Sequence, residues 1–449
     1  MIYGGDGLAR LPVDPSNPAP VPVATNSAVA NKDQHARGKA VFIPFVLAQE
    51  KIEAAITGQK ASFARGQIKQ VIEPSPHRIE PQCRYFARCG GCHYQHASYE
   101  HQLEIKQQIL RENLLRTAKL ELECELQVHA SPPWNYRNRS RLQVGTQPQF
   151  AAGYFKTSSH ELLPVEECPI SSPLINRGIA VLWQLGRAQK VPNGVREVEF
   201  FANADDTELL VAFWCEAPTR RAEVRNLAEE LKEIFSPIAG ITAFRESQTK
   251  GKRGGSQPVA PETLLTFGEQ HLTYQTALNS YRVSAGGFFQ VNRHLIDQLV
   301  NIVSKGRSGD RALDLYAGAG LFSTALACDF RHIVSVESSH LSFYDLKYNL
   351  PSQGKAVLAT SESYVTSLPN PERPDLIVVD PPRSGLGERV AQSIVKMDAA
   401  RITYVSCDPA TLARDLISFL AAGYRVEQAH LVDLFPQTYH LETVLQLTH

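Results

Sequence analysis

The sequence predicts an α/β fold in three parts: a small N-terminal β-barrel, a β-rich central domain and a C-terminal Rossmann-like sheet. Three observations carry this. From Arg311 onward apolar strands alternate with helices, through RALDLYA, LFSTALAC, HIVSVE, LSFYDLKYNL, AVLAT, DLIVVD, ERVAQSIVKM, ITYVS, TLARDLISFLAA, YRVEQAHLVDLF and ETVLQL. Near-continuous apolar strands separated by helices imply a parallel sheet covered on both faces. The first seventy or so residues instead carry short alternating runs bounded by glycines, the pattern of a small barrel. The length of 449 residues also exceeds the roughly 250 to 300 at which a single core stops growing.

In chain order, the barrel opens on IYGGDGLAR and continues with KAVFIPF and EKIEAAITGQKASFARGQIKQVI. Leu11 to Arg37, rich in Pro, Ala, Asn and Ser, interrupts it as a loop with almost nothing to bury. Lys51, Lys60, Arg65 and Lys69 around Phe63 make either a basic, aromatic face for RNA or an ordinary solvated surface. The Pro-rich EPSPHRIEP connects to CRYFARCGGC. Between Ser98 and Leu120, Leu103, Ile109, Leu110, Leu114 and Leu115 recur at helical spacing. WNYRNRSRLQVG opens a β-rich region reaching Ala277, with strands at REVEFFAN, ELLVAFWC and LLTFGEQHLTY. Arg137, Arg139 and Arg141 alternate and so share one face of a strand, where they either meet phosphates or are solvated. Ser247 to Gln257 reads as a polar, basic loop, and SAGGFFQVNRHLIDQLVNIV as a helix from near Asn292. The resulting division is 1–73 for the barrel, 74–97 with 130–280 for the central domain, and 98–129 with 281–449 for the Rossmann-like domain.

Lys and Arg total 46, as do Asp and Glu, so nucleic-acid binding would have to rest on local patches rather than a global field. No run approaches the ~18 apolar residues that span a bilayer, and MIYGGDGLARLPVD lacks a signal peptide's basic start and apolar core. A cytoplasmic location without a membrane partner is expected. A large cytoplasmic chain is not expected to carry a disulfide framework, yet Cys83, Cys89 and Cys92 are bunched as C-x5-C-x2-C. Gly90 and Gly91 permit the tight turn that aims two thiolates at one centre. With Cys168 of VEECPI as fourth ligand, the set suits an iron–sulfur cluster, and zinc would accept the same thiolates.

DLYAGAGLF (Asp314 to Phe322) places Gly318 and Gly320 between a strand and a helix, where backbone can approach a ligand. Glu337 ends the next strand, where an acid commonly accepts bonds from ribose hydroxyls. The short glycine pair, its late position and the strand ending in Asp-Pro-Pro-Arg favour S-adenosylmethionine over a dinucleotide. Methylases of exocyclic amines place an aromatic after the two prolines; here Arg383 follows Asp380-Pro381-Pro382. A guanidinium suits a carbonyl or developing oxyanion, which points to a pyrimidine carbon as the methylated atom. Uracil C5 is a poor nucleophile until a thiolate adds at C6, and a base must later remove the C5 proton. Cys407, between ITYVS and the helix that follows, is the candidate thiolate, its pKa expected to be lowered by the helix N-terminus. Glu442, beside apolar Leu441 and Val444, is a candidate base with a raised pKa. His440 competes for that role, a third reading makes both of them strand-edge surface residues, and spacing does not separate the three.

Cys407 within SCDPATLARDL, Glu442 within FPQTYHLETV, Asp380 to Arg383 within DPPRSGL, the FFQVN stretch and the four cysteines together resemble the RNA uracil-C5 methyltransferase family. That family includes the TrmA-like tRNA and RumA-like ribosomal RNA enzymes. The resemblance runs through nearly the whole chain, with five separated motifs in family order. It implies a class I S-adenosylmethionine-dependent methyltransferase domain with Cys407 as nucleophile and Glu442 as base. It also implies Gln290, Tyr316, Gly318, Gly320, Leu321, Glu337 and Asp380 at the cofactor, and Gln290 and Arg383 at the uracil. Cys83, Cys89, Cys92 and Cys168 would hold a 4Fe-4S cluster with a structural or RNA-binding role. Many members carry Asn where Leu321 stands here, so a polar cofactor contact is expected to be missing. The N-terminal module resembles a TRAM domain, present in the ribosomal RNA branch and absent from the TrmA branch. The expected partner is therefore structured RNA, 23S ribosomal RNA first and tRNA second, bound by a monomer. Two other readings remain: an RNA-binding factor without activity, against which the intact Cys407 and Glu442 argue, and a cytosine-C5 enzyme, which would need an acid for N3 that nothing marks.

Overall fold

In the computed structural model, which describes residues 1–10, 39–245, 261–368 and 373–449, the chain falls into two units. The first comprises Met1–Ala87, Cys92–Ile105 and Gln437–Tyr439; the second comprises Arg88–Gly91, Lys106–Pro436 and His440–His449. Leu11 to Arg37 and the basic loop Ser247 to Gln257 lie outside the described residues. Among the described residues no helix is long and apolar enough to cross a membrane.

The first unit holds a four-stranded sheet of β1 (Asp6–Arg10), β2 (Ala40–Pro44), β3 (Lys51–Gln59) and β4 (Phe63–Glu73) in the order β1-β2-β4-β3. Its small core is Val41, Ile43, Val46 and Ala64. The basic residues singled out from the sequence are partly neutralised there: Lys51 pairs with Glu73 at 2.9 Å and Lys69 with Glu53 at 3.3 Å, while Lys60 lies over the Phe63 ring.

Helix α1 (Tyr99–Asn113) passes from the first unit into the second and ends in one π-helical turn, Leu114–Ala118, before β5 (Leu126–His129). A central sheet follows, built from β6 (Arg139–Gly145), β7 (Ala151–Phe155), β8 (Leu162–Pro164), β9 (Val195–Ala202), β10 (Leu209–Cys215), β11 (Ile238–Arg245) and β12 (Glu262–Gly268), in the order β12-β11-β10-β9-β6-β7-β8. The region is β-rich as expected, and it also carries helices that its sequence pattern did not mark. Two helices, α2 (Pro173–Arg187) and α3 (Arg221–Ile234), cover one face through Leu174, Ile175, Ile179, Leu182, Val224, Leu227 and Leu231. Ser172 starts α2 by accepting from the Ile175 amide, with Pro173 at the first helical position. In the arginine stripe Arg141 stays exposed, as the solvated reading expects, but two of its members are also partnered. Arg139 lies over the Phe201 ring and pairs with Glu199, and Arg141 lies over Trp214 and pairs with Glu197, so pairing with β9 and stacking absorb both charges.

The hairpin β13 (His271–Gln275) and β14 (Ser280–Ser284) leads to α4 (Ile296–Ser304), which begins four residues after the predicted start. Asn292 is fully buried instead; its amide donates to Ser131 Oγ at 2.9 Å and Leu434 O at 3.1 Å, which holds it outside the helix. The last sheet alternates with helices in the predicted order, with one helix, α7, that the sequence reading lacked: β15 (Gly309–Leu315), α5 (Leu321–Leu326), β16 (Phe330–Glu337), α6 (His340–Asn349), β17 (Gly354–Leu358), α7 (Ser361–Ser367), β18 (Leu376–Val379), α8 (Glu388–Lys396), β19 (Arg401–Ser406), α9 (Pro409–Ala421), β20 (Arg425–Val432) and β21 (Glu442–Thr448). Its order is β17-β16-β15-β18-β19-β21-β20-β5. Apolar clusters pack against both faces, but the sheet is mixed rather than wholly parallel, because β21 runs antiparallel to both β19 and β20. Chain order reverses at β15, which lies between β16 and β18. The carboxyl ends of β15 and β18 therefore flank the crevice where open α/β sheets bind ligands.

Candidate active site

The loop after β15 turns sharply at residues with left-handed backbones: Tyr316 (φ 65°), Gly318 (φ 57°) and Gly320 (φ 91°). At Gly320 a side chain is blocked, since a Cβ would lie 2.9 Å from Leu346 Cδ1. A left-handed tyrosine is uncommon and strained by about 1 to 3 kcal/mol. Glu337, at the end of β16, fixes the turn by accepting from the Gly318 amide at 2.8 Å and the Ser339 amide at 2.6 Å. Leu321 begins α5 with its side chain in the apolar core, so it offers the crevice no side-chain polar group.

Asp380 follows β18 directly. The Gln290 amide donates to it at 3.4 Å, and Gln290 is held in turn by Asn138, which donates to the Gln290 carbonyl at 3.2 Å. Beside Asp380 lies Asp314, the penultimate residue of β15. Burial pushes both carboxyls up to about 7, and the two acids interact. One Asp314 oxygen accepts from Ser323; the other, Oδ1, is buried without a partner among the described residues. An acid pair with one buried oxygen left unpartnered fits a ligand that brings positive charge, as the sulfonium and amine of S-adenosylmethionine would.

Cys407 follows β19, and Asp408 caps the next helix by accepting from the Ala410 and Thr411 amides, both at 3.0 Å. The antiparallel β21 then brings Glu442 to the same place. Ser406 pairs with Thr443 across β19 and β21, so the residue after one strand and the first residue of the other fall at one edge of the sheet. Glu442 is 3% exposed; burial and Asp380 push its carboxyl well above the usual range. His440 is half-buried, with its Nε2 3.2 Å from Arg383 Nη2 and its ring against Phe435. The expected lowering of the Cys407 pKa is reversed. Burial pushes the thiol up to about 12, Glu442 and Asp380 add to the effect, and the exposed Arg383 opposes it. Desolvation and two nearby acids outweigh the helix N-terminus.

Asp415, which the sequence reading passed over although it ends YVSCDPATLARD, organises this corner. Its carboxylate accepts from the Leu386 amide and the Tyr404 hydroxyl, both at 2.7 Å, and from the Gly387 amide at 3.2 Å. Thr411 Oγ1 also donates to the Arg383 carbonyl at 3.2 Å, tying the Asp-Pro-Pro-Arg loop to the Cys407 helix. Phe288 was likewise missed; it is 58% exposed, and its ring edge lies 3.4 Å from where a Cβ on Gly318 would be. The signal for Asp415 was its buried position on an otherwise apolar helix face.

Of the four cysteines singled out from the sequence, Cys83 and Cys92 belong to the first unit and Cys89 and Cys168 to the second. Next to Cys89, the Gly90 amide donates to the Phe155 carbonyl at 3.0 Å, and a Cβ on Gly90 would come within 3.2 Å of that oxygen. Cys168 is clamped by Asn176, which accepts from the Cys168 amide at 2.9 Å and donates to its carbonyl at 3.0 Å.

The model of the tRNA (uracil-5-)-methyltransferase family matches residues 98–356 and 373–449. A Streptomyces avermitilis protein named as an uncharacterized RNA methyltransferase is 31% identical over 437 residues, covering 91% of this chain and 92% of that one. A similarly named protein of Aquifex aeolicus is 29% identical and covers all of this chain and 96% of its own length. Among solved structures, the Pyrococcus abyssi tRNA (uracil-54, C5)-methyltransferase bound to S-adenosyl-L-homocysteine superposes with a TM-score of 0.70 at 22% identity, covering 92% of this chain and 97% of that one.

Proposed function

The chain belongs to the tRNA (uracil-5-)-methyltransferase family of S-adenosylmethionine-dependent RNA methyltransferases, and we propose that it methylates uracil C5 in 23S ribosomal RNA through a Cys407 adduct at C6. The observation that carries this reading is the junction of β19 and β21, which gathers a cysteine, a buried glutamate and Asp380 at one sheet edge beside the glycine turn.

Gly318, Gly320, Tyr316, Glu337, Asp380 and Gln290 hold the cofactor, which supplies an electrophilic methyl group when bound. The Leu321 backbone, not its side chain, adjoins it. The base must leave its stack to reach this corner. Cys407 passes its proton to water, and its thiolate Sγ bonds to C6. The displaced electron pair moves to O4, where the Arg383 guanidinium meets the developing oxyanion. C5 then takes the methyl group, the Glu442 carboxylate removes the C5 proton, and the C6–Sγ bond breaks to return the thiolate. His440, which shares Arg383, positions that guanidinium rather than acting as base. Cys83, Cys89, Cys92 and Cys168 hold a 4Fe-4S cluster, whose four-thiolate donor set suits iron as well as zinc. The choice of ribosomal RNA over tRNA rests on the cysteine set and the N-terminal sheet.

RNA carrying 5-fluorouridine tests the chemistry, because fluorine cannot be removed as a proton and the adduct should persist. Wild type should form a denaturant-resistant protein–RNA band, and Cys407→Ala should not. An equal band with Cys407→Ala would refute the assignment.

A further inference from the structure

Arg137 carries a charge that nothing described so far uses. It precedes β6, and its backbone is tied to the Cys168 segment: its amide donates to the Ile170 carbonyl at 2.9 Å and its carbonyl accepts from the Ser172 amide at 2.9 Å. The same segment folds back on itself, the Ser171 amide donating to the Cys168 carbonyl at 2.9 Å. Arg137 is half-buried; its side chain hydrogen-bonds to Tyr136, its Nε is buried without a hydrogen-bond partner, and no carboxylate among the described residues acts on its charge. Burial works against its charge; Tyr136, Tyr154 and Cys168 more than offset that. Two of those neighbours are phenols, neutral at physiological pH. A cation partly withdrawn from water without a counter-charge is unfavourable, so such groups are normally paired. The Cys168 sulfur is the neighbour that a metal would keep anionic.

We propose that Arg137 is the built-in counter-cation of the metal centre that Cys168 ligates, so that its charge sets both the centre's electron affinity and its hold on the metal. This rests on the four cysteines forming such a centre. A cluster with four thiolates carries excess negative charge in each redox state, and a fixed cation beside one ligand favours the more reduced state. It also explains why an arginine, unable to shed its proton, occupies a half-buried position without a carboxylate.

The test uses the full chain purified without oxygen, as wild type, Arg137→Gln and Arg137→Lys, with Arg137→Met should the Gln variant fail to fold. Iron and sulfide content, reduction potential and the rate of bleaching in air are measured on each. The Gln or Met variant should show a potential shifted to more negative values and bleach several-fold faster, and Lys should restore both toward wild type. Chelator removal of the metal should also lower the melting temperature of wild type more than that of Arg137→Met, because only wild type is left with an uncompensated cation. Equal potentials and bleaching rates in all variants would overturn the role of Arg137 while leaving the cluster intact. Wild type with neither iron nor zinc would overturn the centre itself. A colourless protein with bound zinc would overturn the iron–sulfur reading but support the counter-cation, provided a chelator strips zinc several-fold faster from Arg137→Gln.

Discussion

Replacing Glu442 by Gln separates the two acid–base roles at the β19–β21 edge. The Cys407 thiol stands at about 12 against an ordinary 9.0, so at pH 9 it holds about five-hundredfold less thiolate than an ordinary cysteine. Burial is the largest cause and persists in the variant; the Glu442 charge is the second. Its removal should therefore recover a minor share, up to about tenfold in thiolate fraction. Iodoacetamide alkylation between pH 8 and 10, read on the Cys407 peptide by mass spectrometry, measures this directly. Wild type should react slowly with a rate rising tenfold per pH unit, and Glu442→Gln should react up to tenfold faster at each pH. With cofactor and RNA present the same variant lacks its base, so turnover should collapse while a covalent protein–RNA species accumulates. Alkylation no faster than wild type, or full turnover without the carboxylate, would refute the electrostatic reasoning and the role of Glu442 respectively.

Other consequences follow from the same geometry. Asp314 has a raised folded-state pKa, from 3.8 to about 7, so the folded protein binds more protons and loses stability as pH rises through that window; Asp314→Asn should melt higher than wild type at pH 8, with little difference at pH 4, yet bind S-adenosylmethionine more weakly by calorimetry. Gly320→Ala forces a Cβ into a left-handed backbone 2.9 Å from Leu346 and should weaken cofactor binding at least tenfold with a stability loss of about 1 to 3 kcal/mol, measured by denaturant unfolding. Lys106→Met removes the ammonium from the fully buried ion pair it makes with Asp433 at 2.5 Å, which should cost about 3 to 5 kcal/mol in the same assay.

How much of this could be read in advance depends on the range of the interactions. The alternation after Arg311 and the polar residues closing its apolar strands are local features, and they placed the glycine turn, Asp380 and Cys407 in one crevice from sequence alone. The direction of β21 is not local: ETVLQL reads identically whether it runs parallel or antiparallel, and only its pairing with β19 brings Glu442 to Cys407. The same limit applies to Arg139 and Arg141, whose partners Glu199 and Glu197 sit on β9 some sixty residues away. Helix α2 was obscured by Gly178 and Gly186, which pack against Phe200 and Phe150 and lower helical propensity when read by residue type. For Cys407, the nearest influence in sequence was the helix N-terminus, whereas burial and acids from two other strands decide its pKa.

The central claim is tested most directly by methyl transfer from labelled S-adenosylmethionine to unmodified 23S ribosomal RNA and unmodified tRNA in parallel, with wild type and Cys407→Ala, followed by nucleoside analysis. The account predicts labelled 5-methyluridine in the ribosomal RNA, made by wild type alone. Label in tRNA only would contradict the substrate assignment, and 5-methyluridine made by Cys407→Ala would contradict the mechanism.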